Sequence, residues 1–314
     1  RITATSGALI LIRAGDTDGN FVTLANTSNS WDTDIQVYTG NNNSAQSSGL
    51  RLGASNALPT GTSVAGASGA GAANTFDMAG FDQTVNGLSG IYQLRISNSN
   101  AARQSVLTLN PVADKGTAAT TILDGAGILR LVKQGNFTQI LSGANNYTGS
   151  TTIEAGGLMF GQAAALYNGN STAWTKDNIM VNAGATLGLR VGGTGEFTPA
   201  QAATIVGNLS SGINNNGLQG GSFVNLEVNA ASTYSSVITD STGTALMGGV
   251  NDDTQGYHET ITQVYVAGVK AHLAEVGMEV PLHAAVNALL LSSRGRRDSP
   301  LRFYSKERLF SVHA

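Results

Sequence analysis

The chain has 314 residues, 40 of them glycine and five proline, and only 12% are charged, about half the share of an ordinary globular domain. It has no cysteine, which excludes a disulfide framework and thiolate metal sites. With a formal net charge of −3 and a pI near 5.8 it offers no basic field to nucleic acid, and no run of 18 apolar residues is present to span a membrane as a helix.

In chain order, short strands are expected at 8–12, 21–24, 35–38, 50–52, 93–96, 105–109, 121–123, 128–132, 139–141, 151–153, 158–160, 179–181, 186–189, 223–228 and 235–238. Each reads with period two or as a short apolar run. Gly and Asn, which tolerate the positive φ of tight corners, separate them. Among the first strands lie Asp16, Asp18, Asp32 and Asp34. Each pair sits at i, i+2, on one face of an extended segment. Two such pairs on neighbouring coils make a weak Ca²⁺ candidate, and solvated loop carboxylates are the commoner reading. Trp31 and Trp174 fall in loop-like stretches, where an indole is free to stack on a sugar ring. They are the glycan-binding candidates.

An internal repeat points to stacking. Residues 50–61 align with 158–169 at an offset of 108, with Leu50/Leu158, Gly53/Gly161, Ala57/Ala165, Leu58/Leu166 and Gly61/Gly169 coinciding. One coil cannot bury its own apolar residues, but stacked coils bury a continuous inner column. At about 20 residues per coil and about 4.8 Å between strands, residues 1–249 make roughly a dozen coils and a rod about 50–60 Å long. Leu129, Leu131, Ile153, Leu158 and Phe160 are expected inside it.

The most informative stretch is 141–161, LSGANNYTGSTTIEAGGLMFG. Turn residues there punctuate short apolar runs, the rhythm of a right-handed parallel β-helix. It closely resembles the autotransporter-associated β-strand repeat, of general form LSGxNxYTGxTTIxAGxLxLG, and the resemblance extends over about 1–245. Tyr147 lies inside the motif, so its expected role is structural. The resemblance implies an all-β, right-handed parallel β-helix from the secreted or surface-displayed passenger of an autotransporter. It implies a non-enzymatic protein that serves adhesion or acts as a rigid display stalk, with surface glycans or other cell-surface molecules as partners and no cofactor. The enzymatic alternative is a β-helix polysaccharide lyase or hydrolase. That chemistry needs clustered carboxylates beside an Arg or Lys base, whereas Asp77, Asp82, Asp114, Asp124, Glu154, Asp177, Glu196 and Asp240 are scattered. No GxSxG, HExxH or Walker loop is present.

Near Gly249 the composition changes. All four histidines and 14 of the 37 charged residues lie in the last 64, while 36 of the 40 glycines lie in the first 250. The domains read as 1–249, the β-helix, and 250–314, a short α-helical appendage with helices expected over 253–275 and from Pro281 to about 291. His258 and Glu259, at a helix start, are weak metal or proton-shuttle candidates. The segments GYHETIT from Gly256 and RFYSKERLFS from Arg302 resemble a family of small uncharacterised bacterial helical proteins with YHETxT and YSxExLFS motifs. The junction reads as a fusion or a frame artefact, and a third functional reading places the activity in this tail as a cytosolic domain. The chain opens on Arg with no leader before it, so a segment of a longer protein is expected.

Overall fold

The computed structural model describes residues 3, 10–14, 19–31, 33–39, 48–67, 74–90, 92, 94–210 and 216–229, and the backbone of 245–250. The strand expected at 235–238 and both expected tail helices lie outside the described residues. So do Asp16, Asp18, Asp32, His258 and Glu259.

Short apolar runs between turn residues give short strands. In chain order they are β1 (Ile10–Ala14), β2 (Phe21–Leu24), β3 (Ile35–Thr39), β4 (Ser48–Leu52), β5 (Ser63–Gly66), β6 (Asn74–Asp77), β7 (Gln83–Val85), β8 (Gly87–Ser89), β9 (Leu94–Ser97) and β10 (Ser105–Leu109). There follow β11 (Lys115–Ala118), β12 (Thr121–Ile122), β13 (Leu129–Lys133), β14 (Thr138–Leu141), β15 (Thr151–Ile153), β16 (Gly157–Phe160), β17 (Ile179–Val181) and β18 (Thr186–Val191). Helix α1 (Pro199–Ser210) precedes β19 (Gly217–Leu218), β20 (Phe223–Val228) and β21 (Ala245–Val250).

Every ladder among the described residues is parallel. The sheets run β1-β3-β5-β8, β2-β4-β6-β9-β12, β7-β10-β13-β15-β17-β19 and β11-β14-β16-β18-β20-β21. The chain thus leaves a sheet and returns to it one strand further along. Leu107 pairs with Leu131, Leu131 with Thr151, and Thr151 with Ile179, steps of 24, 20 and 28 residues. The next step, Met180 to Gly217, takes 37 because it contains α1. The architecture is all-β, parallel and solenoid-like.

The core consists of columns that run across the ladders. Val85, Leu109, Lys133, Ile153, Val181 and Leu218 occupy successive register positions, all buried. Leu141, Phe160, Leu189 and Leu226 form a second column. Each large aliphatic residue contributes about 1.5–3 kcal/mol by leaving water. Leu129, Leu131, Ile153, Leu158 and Phe160 are all inside, as the sequence predicts.

Several elements were not expected from sequence. In β5 (SVAG) and β6 (NTFD) both faces are buried, so small and polar residues replace the alternation that marks a half-exposed strand. Helix α1 is the larger surprise. The β2–β12 ladder is extended by a single bridge, Leu123 to Asn146. In the next two turns the chain between the remaining ladders forms three 3₁₀ turns (Ala163–Ala165, Tyr167–Gly169, Ser171–Ala173) and then α1. Ala202, Ile205, Val206 and Leu209 are its buried stripe.

Two buried glutamines close irregular points in the stack. β8 ends one ladder and β11 begins another. From β14 the Gln139 amide reaches that break: its Oε1 accepts from Leu88 N–H at 2.9 Å and its Nε2 donates to Leu88 C=O at 3.1 Å. Gln83 serves Leu58 in the same way, both bonds 3.0 Å. Each side chain takes the place of a paired strand and satisfies a donor and an acceptor that burial would otherwise orphan.

Candidate functional site

The structure corrects the glycan candidates. Trp31 is 5% exposed and Trp174 1%, so neither indole is available to stack on a sugar. Trp174 packs against Phe197 with ring centroids 5.8 Å apart, and its Nε1 donates to Leu166 C=O at 3.1 Å. Asn208 of α1 donates to Trp174 C=O at 2.8 Å, fastening the helix over the ring. The sequence around both tryptophans is rich in Ser, Thr and Asn and reads as loop. A large apolar ring in such a loop is what anchors it to the core.

Tyr147 is internal. Its hydroxyl meets Thr151 Oγ1 at 2.6 Å, and Thr151 Oγ1 meets the Tyr167 hydroxyl at 3.0 Å. The two rings are 5.0 Å apart. Burial pushes the Tyr167 phenol up to about 12 and raises Tyr147 as well, with Tyr167 adding to the rise. Both remain neutral hydrogen-bonding groups at any physiological pH.

The described carboxylates act singly as ties between coils. Asp34 accepts from Ser63 N–H at 3.0 Å, Asp82 from Val106 N–H at 2.8 Å and Asp114 from Thr138 N–H at 2.7 Å. Asp124 Oδ1 accepts from Leu129 N–H at 2.8 Å, and its Oδ2 from Thr148 N–H at 3.1 Å and Thr148 Oγ1 at 2.5 Å. Each of these four carboxylates reaches a backbone N–H of the following coil. One oxygen of Asp34 is thereby used in a tie between coils, and among the described residues no three His, Cys, Asp or Glu gather into a group.

Two cationic groups stand out. Lys133 is wholly buried in the column between Leu109 and Ile153. Its Nζ donates to three backbone carbonyls: Gln134 at 2.6 Å, Gly135 at 3.0 Å and Ala155 at 3.1 Å. Burial pulls its pKa down from 10.5 to about 8, with Asp114 pulling the other way. Arg51 faces outward from β4. Its Nε donates to Asp77 Oδ2 at 2.7 Å, and its guanidinium lies 4.0 Å from the Phe21 ring centroid. Beside it runs a shallow groove lined by Ala79, Ser99, Asn100, Ala101 and Ala102. The sequence reading did not single out Arg51. The i, i+2 alternation of Leu50 and Leu52 around it was the available signal that it points outward.

These features define a class: a parallel β-solenoid in which described carboxylates tie neighbouring coils together. Residues 131–159 match the passenger-associated-transport-repeat family. The chain is also 34% identical over 212 residues to the adhesin BmaC autotransporter of Brucella suis biovar 1 (strain 1330). That match covers 65% of this chain and 6% of the relative's length. No solved structure matches. The chain thus carries a passenger-associated transport repeat and is similar to part of an autotransporter adhesin, which supports a secreted or cell-surface location.

Proposed function

We propose that the described solenoid is a closed, right-handed parallel β-helix serving as an adhesive, non-enzymatic rod in an autotransporter passenger. One observation carries this reading. The matched repeat, 131–159, spans one turn of the stack: it opens in β13 and closes in β16, and within it Leu131 pairs with Thr151 and Thr138 with Gly157. The 29 matched residues therefore hold one full step of the stack, 20 residues in one ladder and 19 in the other, together with the strands that pair across it, as a repeat selected for stacking requires. The relative's designation as an adhesin supports adhesion as the role, and the one-by-one use of the described carboxylates supports a structural rather than hydrolytic reading.

The test is to display the whole chain on a non-adherent bacterium through a heterologous outer-membrane anchor. Adhesion to host cells is expected to rise above that of the anchor alone. Adhesion equal to the anchor's would overturn the adhesive role. A compact rather than elongated particle in small-angle scattering of the purified chain would overturn the rod.

A further inference from the structure

Arg51 sits on the outer side of β4, in register with Thr23 of β2 and Asp77 of β6. Its guanidinium is fixed from two directions, by the Phe21 ring and by Asp77. Asp77 is fixed in turn: its Oδ1 accepts from Ala79 N–H at 2.9 Å and Ser99 N–H at 3.0 Å, and its Oδ2 from Ser99 Oγ at 2.7 Å. The Asp77 side chain is 2% exposed, that of Arg51 38%. Neither Nη of Arg51 bonds to any described residue. A rigidly held guanidinium thus presents unused N–H groups beside the groove. A second guanidinium, Arg103, follows directly after the lining residues and lies over Phe81 at 5.9 Å.

We propose that this groove is a subsite for the carboxylate of an acidic sugar, of uronic-acid type, within a surface glycan. The proposal rests on the adhesive reading and names its ligand class. Guanidinium N–H pairs match the planar fork of a carboxylate. Holding the group in place beforehand lowers the ordering cost of binding. The methyl groups of Ala79, Ala101 and Ala102 line a shallow groove rather than a deep side-chain pocket. That suits the broad face of a sugar ring better than an anchoring peptide residue. β4 is paired on both sides, by β2 and β6, so a peptide has no strand edge to join there.

The experiment titrates the full chain with trigalacturonate and with a neutral trisaccharide, read by calorimetry. Saturable binding of the uronate alone, weakening with added salt, is expected. Arg51→Gln should weaken it roughly 10- to 100-fold, the loss expected for a charge-assisted bonding group. Because Arg51→Gln also takes the cation from Asp77, it is read alongside Ala102→Glu. Ala102 is an exposed turn residue, and a carboxylate there competes for Arg51 without removing the Arg51–Asp77 pair. Ala102→Glu should show the same loss with an unchanged melting curve. The site is overturned by absent uronate binding, by equal binding of the neutral sugar, by wild-type binding in Ala102→Glu, or by equally tight binding of a Glu-rich peptide. Surface display separates the two readings. Uronate binding by a chain that does not adhere supports the site and overturns adhesion. Undiminished adhesion by Ala102→Glu overturns the site and leaves adhesion standing.

Discussion

Lys133 breaks a local rule, since it places an ammonium in a column of aliphatic side chains. Three carbonyls hold it, but its pKa still falls to about 8 from 10.5. The unfolded chain therefore binds more protons than the folded one between those values, and stability rises with pH across that window. The cost of the buried charge is fully present below about pH 8 and is relieved as pH climbs towards 10.5. The stability difference between wild type and Lys133→Met, followed by urea unfolding, should move in favour of the wild type from pH 8 to 10.5. A flat difference would show that the ammonium is not desolvated. The carboxylate ties give a graded series. Asp82→Ala removes one bond, to Val106 N–H, and should cost about 1 kcal/mol. Asp124→Ala removes three and should cost about 2–3 kcal/mol. Equal losses in the two variants would argue against the ties as the source of the stabilisation. The sequence showed these acids as scattered and so spoke against an active-site cluster. It could not show that each carboxylate meets a backbone N–H one coil on, because that depends on coil length, which varies from turn to turn.

The strands with clean alternation were legible. β2, β10, β15, β17 and β20 have the bounds the sequence predicts. Strands buried on both faces, such as β5 and β6, carry no such signal, and neither do those only two residues long, β12 and β19. Helix α1 did leave a signal that the strand rhythm around it hid. Thr198 and Gln201 form a capping box: Thr198 N–H donates to Gln201 Oε1 at 2.8 Å and Gln201 N–H to Thr198 Oγ1 at 3.2 Å. Pro199 holds the first helical position, and Ala202, Ile205, Val206 and Leu209 follow at helical spacing. Thr198→Ala should destabilise the helix by about 1 kcal/mol. Leu209→Ala, which opens a cavity, should cost about 2–5 kcal/mol. Amide exchange within 199–210 reads both. A Leu209→Ala exchange pattern like that of wild type would mean the helix does not depend on its seat against the solenoid. Gln139 works at the same scale. Gln139→Leu keeps the volume and orphans Leu88 N–H and C=O, so β8 should lose exchange protection before β14 does.

For the whole molecule, stability is a sum over neighbours. Each turn touches the turns before and after it, so unfolding proceeds in segments rather than in one step. Protection from amide exchange should peak in the middle of the six-stranded ladders, at β13–β15 and β16–β18, and fall towards β1 and β21. Uniform protection along the chain would indicate one cooperative unit instead. Close stacking also explains the glycine content at particular corners. At Gly143 a β-carbon would collide with Thr120 C=O in the coil before, and at Gly156, where φ is +61°, it would come within 2.6 Å of Phe137 C=O.

The carboxylate ties have a direction. Asp34, Asp82, Asp114 and Asp124 each lie on the earlier coil and accept from an N–H on the later one. In these four ties the earlier coil offers the hook and the later coil the eye, in the same sense along the chain each time. Cutting the solenoid there leaves unpaired carboxylates on the amino-terminal piece and their unpaired backbone N–H partners on the carboxy-terminal piece. Two such pieces match head to tail at these four ties, while like ends set carboxylate against carboxylate or N–H against N–H.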